Sequence, residues 1–146
     1  MLRFWQLATG PARRLWDSIT EPRHLKAVYF LLYIVLTLTG LVTLLVPPTS
    51  IAGELGEPLA VAWSVFWLLG GFGGMLTVFP GWWWAERLSI GLMWAGFGIY
   101  GIVVLSLHFT SSGSRLTQLG VILFALVAGL GRFVQIRKYS FEPRGS

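Results

Sequence analysis

Cysteine is absent from this 146-residue chain, which excludes disulfides, thiolate metal sites and cysteine nucleophiles. Charge is scarce too. Asp, Glu, Lys and Arg make up 12% of residues, whereas a soluble domain carries about a quarter. Catalytic patterns are equally thin: the sequence shows no carboxylate pair, no HExxH, no histidine-rich cluster and no nucleotide-binding loop. An enzyme would have to rest on Glu86 and His108, near opposite ends of one apolar stretch. The expectation is a protein with no catalytic residues, no cofactor and no metal. In place of polar residues stand 55% hydrophobic ones, with 8 Trp and 10 Phe, too much apolar surface for a soluble fold to cover.

That apolar content is concentrated. No charged residue occurs from Ala27 to Val46, from Leu59 to Phe79, from Leu88 to Phe109, or from Leu116 to Gly131. About 20 apolar residues form a helix about 30 Å long, the thickness of the bilayer's hydrocarbon core. Lipid offers peptide groups no partners, so each stretch satisfies its own as a helix. The expected fold is all-α: a polytopic membrane protein whose four transmembrane helices, about 27–46, 59–79, 84–109 and 116–136, form an up-down bundle. Pro47-Pro48, Pro80-Gly81 and the Thr110–Ser114 segment supply the breaks between them.

The net charge of +5 would suggest nucleic acid in a soluble protein, but its distribution reads as topology, and no nucleic-acid partner is expected. Arg3, Arg13, Arg14, Arg23 and Lys26 precede the first span. Arg87 follows the second, and Arg132, Arg137, Lys138 and Arg144 cluster at the C-terminal end. The remaining loops hold one base, Arg115. The positive-inside rule places both termini in the cytoplasm of a bacterial cell, with the chain multi-pass in the inner membrane. Residues 1–26 read as a basic amphipathic arm on an anionic inner leaflet, with Trp16 on its apolar stripe. Residues 137–146 read as a basic tail.

Small residues are the most specific packing signal. Gly70, Gly71, Gly73 and Gly74 cluster in the second span, Gly91, Ala95 and Gly98 lie in the third, and Ala125 and Gly129 in the fourth. In lipid such residues let helix backbones approach and gain dispersion contacts, within one bundle or between copies. The second span's glycines spread around its circumference, more than one neighbour needs, which favours an additional contact with another copy or another membrane protein. Trp82, Trp83 and Trp84 read as an aromatic belt, with Arg87, Arg132, Arg137 and Lys138 as further interfacial anchors, Arg132 by snorkelling. The Thr37, Thr39 and Thr43 hydroxyls can bond preceding carbonyls.

The strings RHLKAVYFLLYIVLTLTG (Arg23–Gly40), PPTSI (Pro47–Ile51), PGWWWAERL (Pro80–Leu88) and SLHFTSSGSRLTQLG (Ser106–Gly120) resemble small four-helix membrane proteins of actinobacterial phages and prophages, regarded as holin-like. The resemblance covers about Arg13 to Pro143. It implies a homo-oligomer that accumulates in the inner membrane and permeabilises it for host lysis, and it brings no catalytic residue with it. The alternative is a non-pore membrane subunit that binds another membrane protein, in superinfection exclusion or assembly.

Overall fold

A computed structural model describes residues 23–48, 57–110 and 113–137. The arm before Arg23 with Trp16, and the tail with Lys138, lie outside the described residues. Four helices occupy the described chain: α1 (Arg23–Leu45), α2 (Glu57–Val78), α3 (Trp83–Thr110) and α4 (Leu116–Arg137). All four are long and apolar enough to cross a membrane. Each matches an expected span within a few residues, because a charge or a helix breaker bounds every apolar run.

The breaks are physical. After Leu45 the Val46 amide still donates to the Val42 carbonyl at 2.8 Å, and Pro47 and Pro48 then supply no further N–H. Gly81 ends α2 with φ of 76°. The Gly81 and Trp82 amides both donate to the Thr77 carbonyl, at 3.1 and 3.3 Å, a glycine C-cap that only a residue without Cβ adopts freely. At the far end of α3, His108 Nδ1 accepts the Arg115 amide at 3.3 Å and Ser114 Oγ accepts that of Leu116 at 3.4 Å. His108 thus closes the turn into α4.

Packing follows chain order: α1 lies on α2, α2 on α3 and α3 on α4, while α1 and α4 touch only sparsely. The start of α1 meets the end of α2, where Lys26 reaches Phe79, and the end of α4 meets the start of α3, where Arg132 reaches Glu86. The core cluster joins Leu36, Ala60, Trp63, Trp67, Val103 and Leu107. Trp67 meets Phe97 at a tilt and Tyr100 edge-on, with centroids 4.9 and 5.4 Å apart. These two tryptophans carry the centre of the protein, with α2 the most enclosed helix.

Candidate functional site

Two regions carry the chemistry: an ion cluster at the end where α1 and α3 begin, and the distribution of small residues across the helix faces.

Glu86 sits one turn into α3 and is 0% exposed; Arg132, one turn before the end of α4, is 2% exposed. The guanidinium grips the carboxylate with both prongs, Nε to Oε1 at 2.7 Å and Nη2 to Oε2 at 2.9 Å. Tyr33 of α1 donates its hydroxyl to the same Oε1 at 3.2 Å. One carboxylate therefore ties three helices together. Around it, Arg132 lies over the Tyr29 ring at 4.9 Å and the Trp83 ring at 5.8 Å. Lys26, also fully buried, sits 5.4 Å from the Trp83 centroid and donates to the Phe79 carbonyl at 3.2 Å, at the negative end of α2. Arg87 reaches across to the Ile136 carbonyl at 2.9 Å, doing the same for α4. Charges out of water are tolerable only in such company.

This corrects the expectation that Arg132 snorkels to the interface. It turns inward because Glu86, Tyr29 and Trp83 offer a complete set of partners that no headgroup needs to supply. The tryptophan run divides as well. Trp82 and Trp84 are 58% and 62% exposed, as interfacial anchors would be, whereas Trp83 folds in over the two cations. Arg137 is exposed at the end of α4, and Arg87 is half-buried against that helix.

The small residues divide similarly. A Cβ on Gly70 would lie 2.9 Å from both Met93 N and Ser89 O of α3, and one on Gly73 would lie 2.7 Å from Ser89 Oγ. Gly71 faces the Thr37 amide and the Tyr33 carbonyl of α1, and Gly74 faces the Tyr33 ring. The four glycines serve two neighbours of the same chain, α1 on one side and α3 on the other. Their spread around α2 is therefore explained without another copy, contrary to the expectation drawn from it. Gly129 of α4 is filled by Met93 and Trp94, whose indole donates to the Leu126 carbonyl at 3.3 Å. Ala125 faces the gap between α1 and α4.

Gly91 and Gly98 have nothing within 4 Å. With exposed Ala95 they form a strip at spacings of four and three, continued by exposed Leu88, Ile102 and Leu105. Beside it lies a shallow apolar hollow of about 300 Å³ between α3 and α4, edged by Gly98, Gly101, Leu119 and Leu123. Sequence reasoning placed Gly91, Ala95 and Gly98 with the other small residues; only the fold sets them apart. Two further glycines are close-packed within the chain: Gly40, where a Cβ would lie 2.7 Å from Leu68 N, and Gly96 under Trp67.

Thr37 and Thr39 donate to the Tyr33 and Val35 carbonyls, both at 2.7 Å, the local bonding expected of them. Among the described residues no group of His, Asp and Glu is placed to hold a metal ion. Comparison with known proteins yields no matching family model, no similar curated protein and no similar solved structure.

Proposed function

We propose that this chain is a holin-like protein of phage or prophage origin, one that self-associates in the bacterial inner membrane and permeabilises it for host lysis. In this reading the helices thread the bilayer up and down, and both termini face an anionic cytoplasmic leaflet, as the distribution of Lys and Arg favours. The observation that carries self-association is the strip Gly91–Ala95–Gly98 on α3. It is a small-residue face left unfilled by the fold, beside a hollow able to receive side chains of a second copy. In lipid, unfilled small-residue faces are where helix backbones can still approach. The phage and lysis parts of the reading rest on the sequence resemblance.

A second reading, a non-pore subunit bound to a different membrane protein, draws on the surface around that strip. Glu86, Lys26 and Arg132 are turned inward, and the large polar side chains exposed on the described helices, His24, Gln118, Gln135 and Arg137, lie within the first or last turn of their helices, a poor lining for a wide aqueous hole. Timed expression in a bacterium with a potential-sensitive dye separates the two. An abrupt collapse of membrane potential after a delay supports the lysis reading. Slow growth at intact potential, with a different membrane protein co-purifying, moves the assignment to the partner reading.

A further inference from the structure

The helices pack in chain order, so the first and the last leave a cleft between them. Beside the ion pair this cleft is a cavity of about 200 Å³, floored by Ile90 and Met93 of α3. Its α4 wall carries the small residues Ala125 and Ala128. Its lips are Leu32 and Val35 of α1 and Phe124 of α4, all three exposed. The cavity therefore opens sideways, to whatever surrounds the helices.

One end is polar. Arg132 lines it, and its guanidinium is only partly used: Nε and Nη2 donate to Glu86, while Nη1 meets no acceptor among the described residues. The Tyr29 ring lies under the same guanidinium, 4.9 Å away. Its hydroxyl points to α4 beside Gly131 and also has no hydrogen bond among the described residues. A buried donor without an acceptor is costly. Arg132 is 2% exposed, so an acceptor for Nη1 has to arrive through the cavity.

Charge and depth narrow the chemistry of that acceptor. Glu86 already answers the guanidinium through two bonds, and a second anion would sit beside that carboxylate in a medium that screens little. An uncharged carbonyl brings no such repulsion. Glu86 lies three residues into α3, about 5 Å along its axis. The 23 residues of α1 and 22 of α4 overreach a hydrocarbon core of about 30 Å by a few ångströms. The ion pair thus falls near the boundary at which acyl chains meet their ester groups.

We infer that the cavity between α1 and α4 seats one acyl chain of a diacyl glycerophospholipid. The ester carbonyl accepts from Arg132 Nη1 and the Tyr29 hydroxyl, the methylenes lie along Leu36, Phe97 and Phe124, and the phosphate head stays outside. Such a seat requires only that the helices cross a bilayer, whether or not the chain lyses cells.

The test uses the full chain in nanodiscs of diether phosphatidylglycerol, which has no ester carbonyl. Two trace phosphatidylglycerol probes are compared, with the same photoreactive chain joined through an ester or an ether. The ester probe should label α1 and α4 saturably and about tenfold more than the ether probe, the worth of a hydrogen bond to a charged donor. Ala128→Leu should fill the cavity and reduce ester-probe labelling about tenfold. Tyr29→Phe, which keeps the ring under Arg132, should reduce it about threefold. Val127→Leu, exposed on α4 and outside the cavity, should label as the parent does. Equal labelling by the two probes overturns the inference, as does labelling indifferent to Ala128→Leu. Displacement of the ester probe by oleic acid at lower concentration than by diester phosphatidylglycerol gives the cavity to free fatty acid and overturns it too.

Discussion

The glycines of α2 and those on the outer face of α3 are the same residue in similarly apolar helices, at similar spacings, and they are used oppositely. On α2, Gly70 and Gly73 admit α3 while Gly71 and Gly74 admit α1; the space each leaves is taken within the chain. On α3, Gly91 and Gly98 meet nothing. A small-residue motif therefore states that a backbone can be approached, and only the packing of the other helices decides by what. The rotation of α3 makes that decision. Its inner side is fixed by Glu86 against Arg132 and Tyr33 and by Gly96 beneath Trp67, and the strip is what remains outside.

Breaking that rotation should have the largest effect. Arg132→Leu leaves Glu86 buried with one donor, Tyr33, and should cost about 3–5 kcal/mol in reversible unfolding titrations; Glu86→Leu combined with Arg132→Leu should recover most of the loss. If the single variant is as stable as the parent, the pair does not set the helix positions. Next comes Gly70→Leu. Its side chain must displace the α3 backbone, so destabilisation of about 3 kcal/mol is expected in the same titrations. Gly98→Leu inverts the comparison: stability of the monomer within about 0.5 kcal/mol of the parent, but self-association about tenfold weaker, read by energy transfer between labelled copies in vesicles. Gly120→Ala should matter least. Nothing lies within 4 Å of the added Cβ, and the better helix former should add about 0.5–1 kcal/mol; a loss there would mean the position is occupied in the bilayer.

The helices were legible in the sequence, since an uncharged run of bilayer length bounded by Pro, Gly or Arg has few other solutions. So was the small-residue content of α2, α3 and α4. The partition of that content was not legible, because spacing along one helix carries no information about which neighbour fills the space. The ion cluster was hidden for a related reason. Lys26, Glu86 and Arg132 each lie within about a turn or two of a helix end, where snorkelling is the ordinary outcome. Their convergence depends on α3 and α4 meeting with those ends together. Trp83 illustrates the same limit: identical neighbours at 82 and 84 face outward, and only its position under Lys26 and Arg132 sets it apart.

The central claim is that α3 presents its Gly91–Ala95–Gly98 face to a second copy while the glycines of α2 are spent inside the fold. A chain without cysteine permits a clean measurement: single cysteines placed in turn from Leu88 to Leu105 and at Phe72 and Leu76 of α2, oxidised in membranes and scored for cross-linked dimer. The account predicts dimer yields that rise and fall with helical period, peaking at 91, 95, 98 and 102 and low at 72 and 76. Yields that are flat along α3, or highest on α2, would contradict it.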